Sequence, residues 1–311
     1  MSEIVTLTLN PTIDKSVSVD RVVAEHKLRC SAPRFEPGGG GINVTRAVNK
    51  LGGTARALWT RGGATGELLE QLLDAEDIDH YPLPVAGLTR ENLIVDETVS
   101  DQQYRFGMPG EALRDEELQD CLTRLGRLDP VPDYLVLSGS LPPGAPIDTY
   151  ARIARAVPEG SRVILDTSGE ALRQSLQERL FLIKPNLREL GQLAGRELED
   201  DTDIREVARG LIGEDRVTVV VTSLGAGGVT VTTADAHHHV RAPTVPIRSK
   251  VGAGDSTVAG IVLALARGKT ILEAVRFGVA AGAAAVMSAG TELCGRDDTE
   301  RLYGQISEET A

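Results

Sequence analysis

The chain has 311 residues with 41% hydrophobic and 25% charged side chains, which suits a folded globular protein and excludes extensive disorder. Its net charge of −12, from 45 acidic against 33 basic residues, disfavours nucleic acid or an anionic membrane as a main partner. Three cysteines without a CxxC pair (Cys30, Cys121 and Cys294) fit a reducing compartment with buried or inert thiols and exclude a zinc site or disulfide framework.

The opening MSEIVTLTLNP has acid early and no basic leader. No apolar run reaches the ~18 residues of a membrane span, so a soluble cytoplasmic protein is expected. Ile4–Leu9 forms the first strand-like run. Ser16–Asp20 and Leu28–Glu36 then read as extended segments with polar alternation. Pro37-Gly38-Gly39-Gly40-Gly41-Ile42-Asn43 precedes a helix carrying Asn43, Arg46 and Asn49. Four glycines suit either a flexible connection or a backbone approached closely by a ligand, and the helix directly after them favours the second.

Asn92–Asp96 and Gln102–Phe106 make a second strand pair around the turn-prone Val99-Ser100-Asp101. Further on, Tyr134–Leu137, Arg162–Leu165, Leu180–Ile183 and Val217–Val221 are short Val- and Ile-rich runs, with helical periodicity at Thr149–Ala156 and Thr202–Ile212. Near-continuous apolar strands alternating with amphipathic helices predict an α/β protein with a mostly parallel sheet covered on both faces. The polar-alternating pairs predict a small second sheet, inserted twice and standing over one end of the first. From Gly252 to Gly290 the chain is dense in Ala, Gly and Val at helical spacing, which predicts closely packed helices.

Chemistry concentrates at a few strand ends and turns. Asp166 follows the strand Arg162–Leu165, and Lys184-Pro185-Asn186-Leu187-Arg188-Glu189 follows Leu180–Ile183, where open α/β sheets place ligands. If Pro185 starts a helix, Asn186 and Glu189 share a face and suit Mg²⁺, directly or through water. Val251-Gly252-Ala253-Gly254-Asp255-Ser256 leads into the helical run Thr257–Ala266, so its N–H groups suit an anion. An acid inside such a turn is either a helix N-cap or a base for a hydroxyl attacking phosphorus. Lys27, Arg29, Arg90 and Arg105 lie in or beside the predicted small sheet and suit a sugar phosphate. Gly268-Lys269-Thr270 is no P-loop, because position 263 is Leu263 and the triplet ends a helix. His237-His238-His239 alternates across a strand and suits a solvated strand end better than a metal. No GxGxxG follows the first strand, which argues against a nicotinamide dehydrogenase.

Taken together, Gly38–Gly41, the Asn186/Glu189 pair and Gly252-Ala253-Gly254-Asp255 resemble the ribokinase-like PfkB carbohydrate kinases. Long matches outside these turns carry the likeness over nearly the whole chain: His26–Cys30, Phe35-Glu36-Pro37, Ser138–Gly144, Ser168–Leu172 and Arg276-Phe277-Gly278-Val279-Ala280-Ala281-Gly282. The resemblance implies a three-layer α/β/α sandwich with a β lid, a core of residues 1–14, 38–88 and 109–311, and a lid of 15–37 and 89–108. It implies ATP-dependent phosphorylation of a ketohexose phosphate, with fructose 6-phosphate expected first and fructose 1-phosphate or tagatose 6-phosphate as alternatives. A non-catalytic sugar-phosphate sensor is the rival from another class, and the intact Asp255, Asn186 and Glu189 argue against it.

By the same resemblance Asp255 is the general base, and the N–H groups of Gly252, Ala253 and Gly254 form the anion hole. Asn186 and Glu189, with Asp166 as a lesser candidate, position Mg²⁺, while Lys184, Asn186, Ser223 and Gly225 serve the nucleotide. Asp14, Gly39, Asn43 and Ser138 hold sugar hydroxyls, and Lys27, Arg90 and Arg105 meet phosphate. A homodimer through the lid is implied as well. Asn10 in Leu9-Asn10-Pro11 resembles the 1-phosphofructokinase and tagatose-6-phosphate kinase branch. Lys250 and Glu292 depart from the pattern near the family's monovalent-cation loop, so an altered K⁺ dependence is expected.

Overall fold

The computed structural model describes residues 3–213, 216–288, 290 and 292–308. In chain order the first half holds β1 (Ile4–Thr8), β2 (Thr12–Val19), β3 (Arg34–Gly38), α1 (Gly40–Lys50), β4 (Arg56–Arg61), α2 (Gly63–Ala75) and β5 (His80–Pro84). Next come β6 (Arg90–Glu97), β7 (Gln102–Phe106), α3 (Asp115–Leu125), β8 (Tyr134–Ser138), α4 (Thr149–Ala156), β9 (Arg162–Asp166) and α5 (Gly169–Ser175). β10 (Leu180–Ile183), α6 (Leu187–Ala194), α7 (Asp201–Gly213), β11 (Val217–Ser223), β12 (Val229–Thr232) and β13 (His237–Val240) follow. The helices α8 (Ala253–Ala266), α9 (Ile271–Met287) and α10 (Arg296–Glu308) come last.

Nine strands form the main sheet in the order β13-β12-β11-β10-β9-β8-β1-β4-β5. It is parallel from β11 to β5, and β12 and β13 add an antiparallel edge. Because successive strand residues face opposite sides, each strand feeds two cores. On β1, Val5 and Leu7 pack with Tyr150, Ile153 and Leu190 on one face. Ile4 joins Val44, Val48, Val258 and Val279 on the other. A third cluster around Trp59, Ile13 and Leu69 lies under α2. Cys121 and Cys294 are buried in these cores as expected, but Cys30 is exposed.

The separate four-stranded sheet has the order β3-β2-β6-β7. It begins at Thr12, so Asp14, which the resemblance puts in the core, lies in the small sheet, paired with Glu36 on one side and Asn92 on the other. Residues 28–33, expected to be extended, are irregular chain instead, following turns at 24–26, and Lys27 and Arg29 sit exposed outside any strand. Arg46 is buried and ties the lid to the core. Its guanidinium donates to both carboxylate oxygens of Glu76 (2.7 Å each) and to the Pro37 carbonyl at the end of β3 (3.0 Å).

The four-glycine turn serves the protein's own packing. A Cβ on Gly41 would stand 2.6 Å from Thr8 Oγ1 and 2.7 Å from the Leu7 carbonyl. One on Gly40 would collide with Ser138 Oγ and lie 2.8 Å from the Gly139 nitrogen. The glycines therefore let α1 dock on the carboxyl ends of β1 and β8, which places Asn43 over the sheet. Gly39, at φ +113°, has the backbone conformation that side chains avoid.

The last helices are bound by small residues. A Cβ on Gly260 would lie 2.8 Å from the Gly278 Cα, and one on Gly278 would lie 2.7 Å from the Thr257 carbonyl. A Cβ on Gly282 would stand 3.2 Å from the Ala253 carbonyl, so α9 leans on the first turn of α8.

Candidate active site

Parallel register assembles the site. Ser138 on β8 is the partner of Asp166 on β9. Lys184 follows β10 and donates its backbone N–H to the Leu165 carbonyl, and Asn186 bridges to Ser223 at the end of β11. Four neighbouring strands thus deliver Ser138, Asp166, Lys184 and Ser223 to one edge of the sheet, at its carboxyl ends, where strand-to-helix connections leave a crevice. A cleft of about 240 Å³ opens there, lined by Ser138, Asp166, Thr167, Glu189 and Asp255 among others.

Asp255 is not the cap of α8. The cap is Gly252, in the left-handed conformation (φ +71°), and Asp255 lies in the first helical turn. That left-handed residue turns the chain sharply, so the N-terminus of α8 and Asp255 arrive at the same cleft. Asp255 Oδ2 accepts a hydrogen bond from Asn43 Nδ2 at 2.9 Å. The other atom of that amide, Asn43 Oδ1, is buried without a partner, as an acceptor awaiting a donor would be.

The electrostatics suit proton transfer. Burial pushes the Asp255 carboxyl up to about 6, with Asp166 and Asp14 adding to the rise and the Asn43 bond and Lys184 opposing it. Lys184 is itself buried, and its ammonium lies 3.2 Å from Asp166 Oδ1. Burial alone would lower the lysine, but Asp166, then Asp255 and Glu189, outweigh it and hold the ammonium above its ordinary value. A Cβ on Gly254 would stand 3.6 Å from that ammonium, so it sits against the glycine turn.

Asn186 and Glu189 meet differently from the expectation. The helix starts at Leu187, with Asn186 as its cap. The two side chains form a capping box in which Asn186 Oδ1 accepts from the Glu189 N–H (2.9 Å) and Glu189 Oε2 accepts from the Asn186 N–H (2.8 Å). Among the described residues no three or more His, Cys, Asp or Glu groups form a metal cluster. Glu189 and Asp166 line the cleft with carboxylate, which suits a divalent ion carried in by substrate phosphates and held partly through water. Gly225, at φ +61°, begins the exposed turn Gly225–Gly227 just after Ser223.

On the lid side, Asp14 Oδ1 accepts from Asn92 Nδ2 at 2.9 Å. Burial raises the Asp14 carboxyl, against Asn92, Arg90 and Arg105. Arg90 donates to the Asn10 and Met108 carbonyls and to Asn92 Oδ1, and burial lowers its guanidinium while Asp14 raises it. Arg105 is exposed on β7, and Lys27 is exposed on the irregular segment between β2 and β3. Asn92 escaped the sequence reading, although it stands two residues from Arg90 on one strand and therefore on the same face. Gly39 caps the start of α1, the helix that carries Asn43, and Ser138 lies against Gly40 in its first turn.

Comparison with known proteins agrees with this geometry. The profile of pfkB family carbohydrate kinases matches residues 7–298. The ATP-dependent 6-phosphofructokinase isozyme 2 of Escherichia coli (strain K12) is 43% identical over 309 residues, covering 99% of this chain and 100% of that one. Crystal structures of phosphofructokinase-2 from Escherichia coli superpose with a TM-score of 0.95 for the complex with potassium (42% identity, 99% and 100% coverage). The fructose-6-phosphate complex gives 0.93 (41% identity, the same coverage). The 1-phosphofructokinase of Bacillus subtilis is 34% identical over 295 residues, 93% of this chain and 95% of that protein.

Proposed function

We propose, for a chain that belongs to the pfkB family of carbohydrate kinases, that it phosphorylates fructose 6-phosphate with ATP, giving fructose 1,6-bisphosphate and ADP. The observation that carries the catalytic assignment is Asp255. It is a carboxyl of raised pKa in the first turn of a glycine-led helix, held by Asn43 and facing the cleft at the strand ends.

In the proposed step Asp255 accepts the proton of the sugar's free primary hydroxyl as that oxygen bonds to the γ-phosphorus. The bond from that phosphorus to the β–γ bridging oxygen breaks, and ADP leaves. The N–H groups of Gly252, Ala253 and Gly254 receive the negative charge that spreads over the transferring group. Lys184, Asn186, Ser223 and Gly225 are assigned to the nucleotide. Asp14, Gly39, Asn43 and Ser138 are assigned to the sugar hydroxyls, with the unpartnered Asn43 Oδ1 as one acceptor. Glu189 and Asp166 would hold Mg²⁺ arriving with ATP, which would supply charge neutralisation to the triphosphate.

Arg90, with Arg105, is assigned to the substrate's existing phosphate. Charge-assisted bonds are worth about 1.5–3 kcal/mol each, enough to separate phosphorylated from plain sugars. Lys27, exposed beside the lid strands, is assigned to the same phosphate. Val22, Val23, Phe106 and Met108, large apolar side chains exposed on or beside the lid sheet, support a homodimer through the lid. A cytoplasmic location is proposed with this role; no helix among the described residues is long and apolar enough to cross a membrane.

The test is ADP release with MgATP against fructose 6-phosphate, fructose 1-phosphate, tagatose 6-phosphate and fructose. The highest kcat/KM is expected for fructose 6-phosphate. Arg90→Gln should raise its KM by about tenfold or more while leaving KM for ATP unchanged. A preference for fructose 1-phosphate, which Asn10 would favour, keeps the chemistry and changes the substrate.

A monovalent cation fits less well. The Glu292 carbonyl accepts a hydrogen bond from the Lys50 ammonium, its carboxylate lies 3.3 Å from Arg34, and Lys250 puts a third cation on the adjoining loop. Activity is therefore expected to vary little with KCl at fixed ionic strength, and strong saturable activation would overturn that expectation.

A further inference from the structure

Two segments singled out in the sequence have no role in the site above: His237-His238-His239 and the run beginning at Arg276. The fold brings them together. Between the edge strand β13 and helices α9 and α10 lies a groove of about 260 Å³, lined by His238, His239, Val240, Arg241, Leu272, Arg276 and Ile306. Among the described residues its polar lining side chains are all basic or imidazole, in a protein of net charge −12.

These cations are not spent on neighbours. Among the described residues the side chains of Arg241, Arg276 and His238 have no hydrogen-bond or ion-pair partner, whereas most guanidiniums elsewhere on the surface are paired, such as Arg124 with Asp120 and Arg152 with Asp148. The acid one turn before Arg276, Glu273, is committed to the Thr270 cap and to Lys269. His237, by contrast, points away and binds Asp201 and Thr232. Two unpaired guanidiniums beside one groove are the arrangement that grips a multiply charged phosphate. The apolar residues Leu272, Val240 and Ile306 supply a floor for an organic group.

We infer that this groove binds a small organic diphosphate or triphosphate, separately from the catalytic cleft, and that its occupancy lowers affinity for the nucleotide. The link is His239, whose Nε2 lies 2.8 Å from the Gly227 carbonyl in the turn that begins at Gly225. An anion in the groove competes for that imidazole and frees the turn. The link, unlike the groove, rests on the nucleotide assignment of Gly225. A nucleic acid is the less favoured polyanion, because a protein of net charge −12 repels an extended chain of phosphates.

The test is calorimetric titration with inorganic pyrophosphate, at Mg²⁺ in excess, of protein saturated with a non-hydrolysable ATP analogue so that the cleft is filled. One site per chain is expected, weakened about tenfold in Arg241→Gln and further in the Arg241→Gln/Arg276→Gln pair. Arg241 is on the surface, so the single variant keeps the test decisive if the pair does not fold. Saturating pyrophosphate should weaken analogue binding by about fivefold or more, and the analogue should weaken groove binding by the same factor. His239→Ala should keep the groove site and lose this coupling. No binding, or binding undiminished in Arg241→Gln, overturns the groove. Coupling that survives His239→Ala overturns the link. Failure of the analogue itself to bind counts against the nucleotide assignment and leaves the groove titration to be read on free protein.

Discussion

Asp255→Asn is expected to lower kcat by about 10²–10⁴-fold, the usual contribution of a positioned base, while KM for both substrates changes little. The amide keeps the shape of the carboxyl and still fits beside Asn43 but takes no proton. Two further readings separate this role from a structural one. First, a base pushed up to about 6 must lose its proton to act, so kcat/KM of the unaltered protein should fall on the acid side of pH 6. Second, the raised value predicts a stability change of known sign. Between the ordinary value of 3.8 and about 6 the folded protein holds a proton that the unfolded chain has released. Stability attributable to this group is therefore lost as pH rises through that window, and the deficit persists above it. Asp255→Asn removes the deficit, so thermal denaturation at pH 8 should show a higher Tm than the unaltered protein. Unchanged kcat would rule out the base.

Lys184→Met should act on both stability and rate. The ammonium is the buried partner of Asp166, and removing one member of a buried pair costs about 3 kcal/mol or more in unfolding free energy. It is also the cation that restrains the rise of Asp255. Without it Asp166 and Asp255 face each other unscreened, and the acid limb of kcat/KM should move to higher pH. Denaturant unfolding and a pH–rate profile measure the two effects. A profile that stays in place would show that Lys184 does not set the charge of the base.

Much of this was legible from the chain alone, for physical reasons. Buried parallel strands are continuous apolar runs, so Leu180–Ile183 and the strands beside it stand out, as does the amphipathic Thr149–Ala156. Two strands of the main sheet do not. β4 has arginine at both ends, and β5 is an edge strand with Pro82 and Pro84, the composition that strand patterns reject. Of the antiparallel edge, β12 gives no apolar run because threonines alternate with its valines, whereas β13 was legible from the alternation of His237-His238-His239. At the site, Asp255 and the strand-end residues declare themselves by local order. What the four glycines touch does not, because Leu7, Thr8 and Ser138 are distant in sequence and only the folded chain brings them under Gly40 and Gly41. The capping box of Asn186 and Glu189 was open to local reading, since three-residue spacing of amide and acid ahead of a helix signals it as well as a metal pair.

The seam between α8 and α9 bears on how this protein can change. Where helix backbones nearly touch, at Gly260, Gly278 and Gly282, every possible substitution adds atoms and none removes them. Most core positions drift in both directions, a methyl lost here and regained there, with neighbours adjusting by degrees. These three have no smaller state to visit, so compensation must come from the facing backbone, which cannot shrink. Because Gly282 leans on Ala253, an insult at the seam is passed directly to the turn that presents Asp255. The alleles tolerated at these sites should be few, and their cost should fall on the geometry of the reaction as much as on folding.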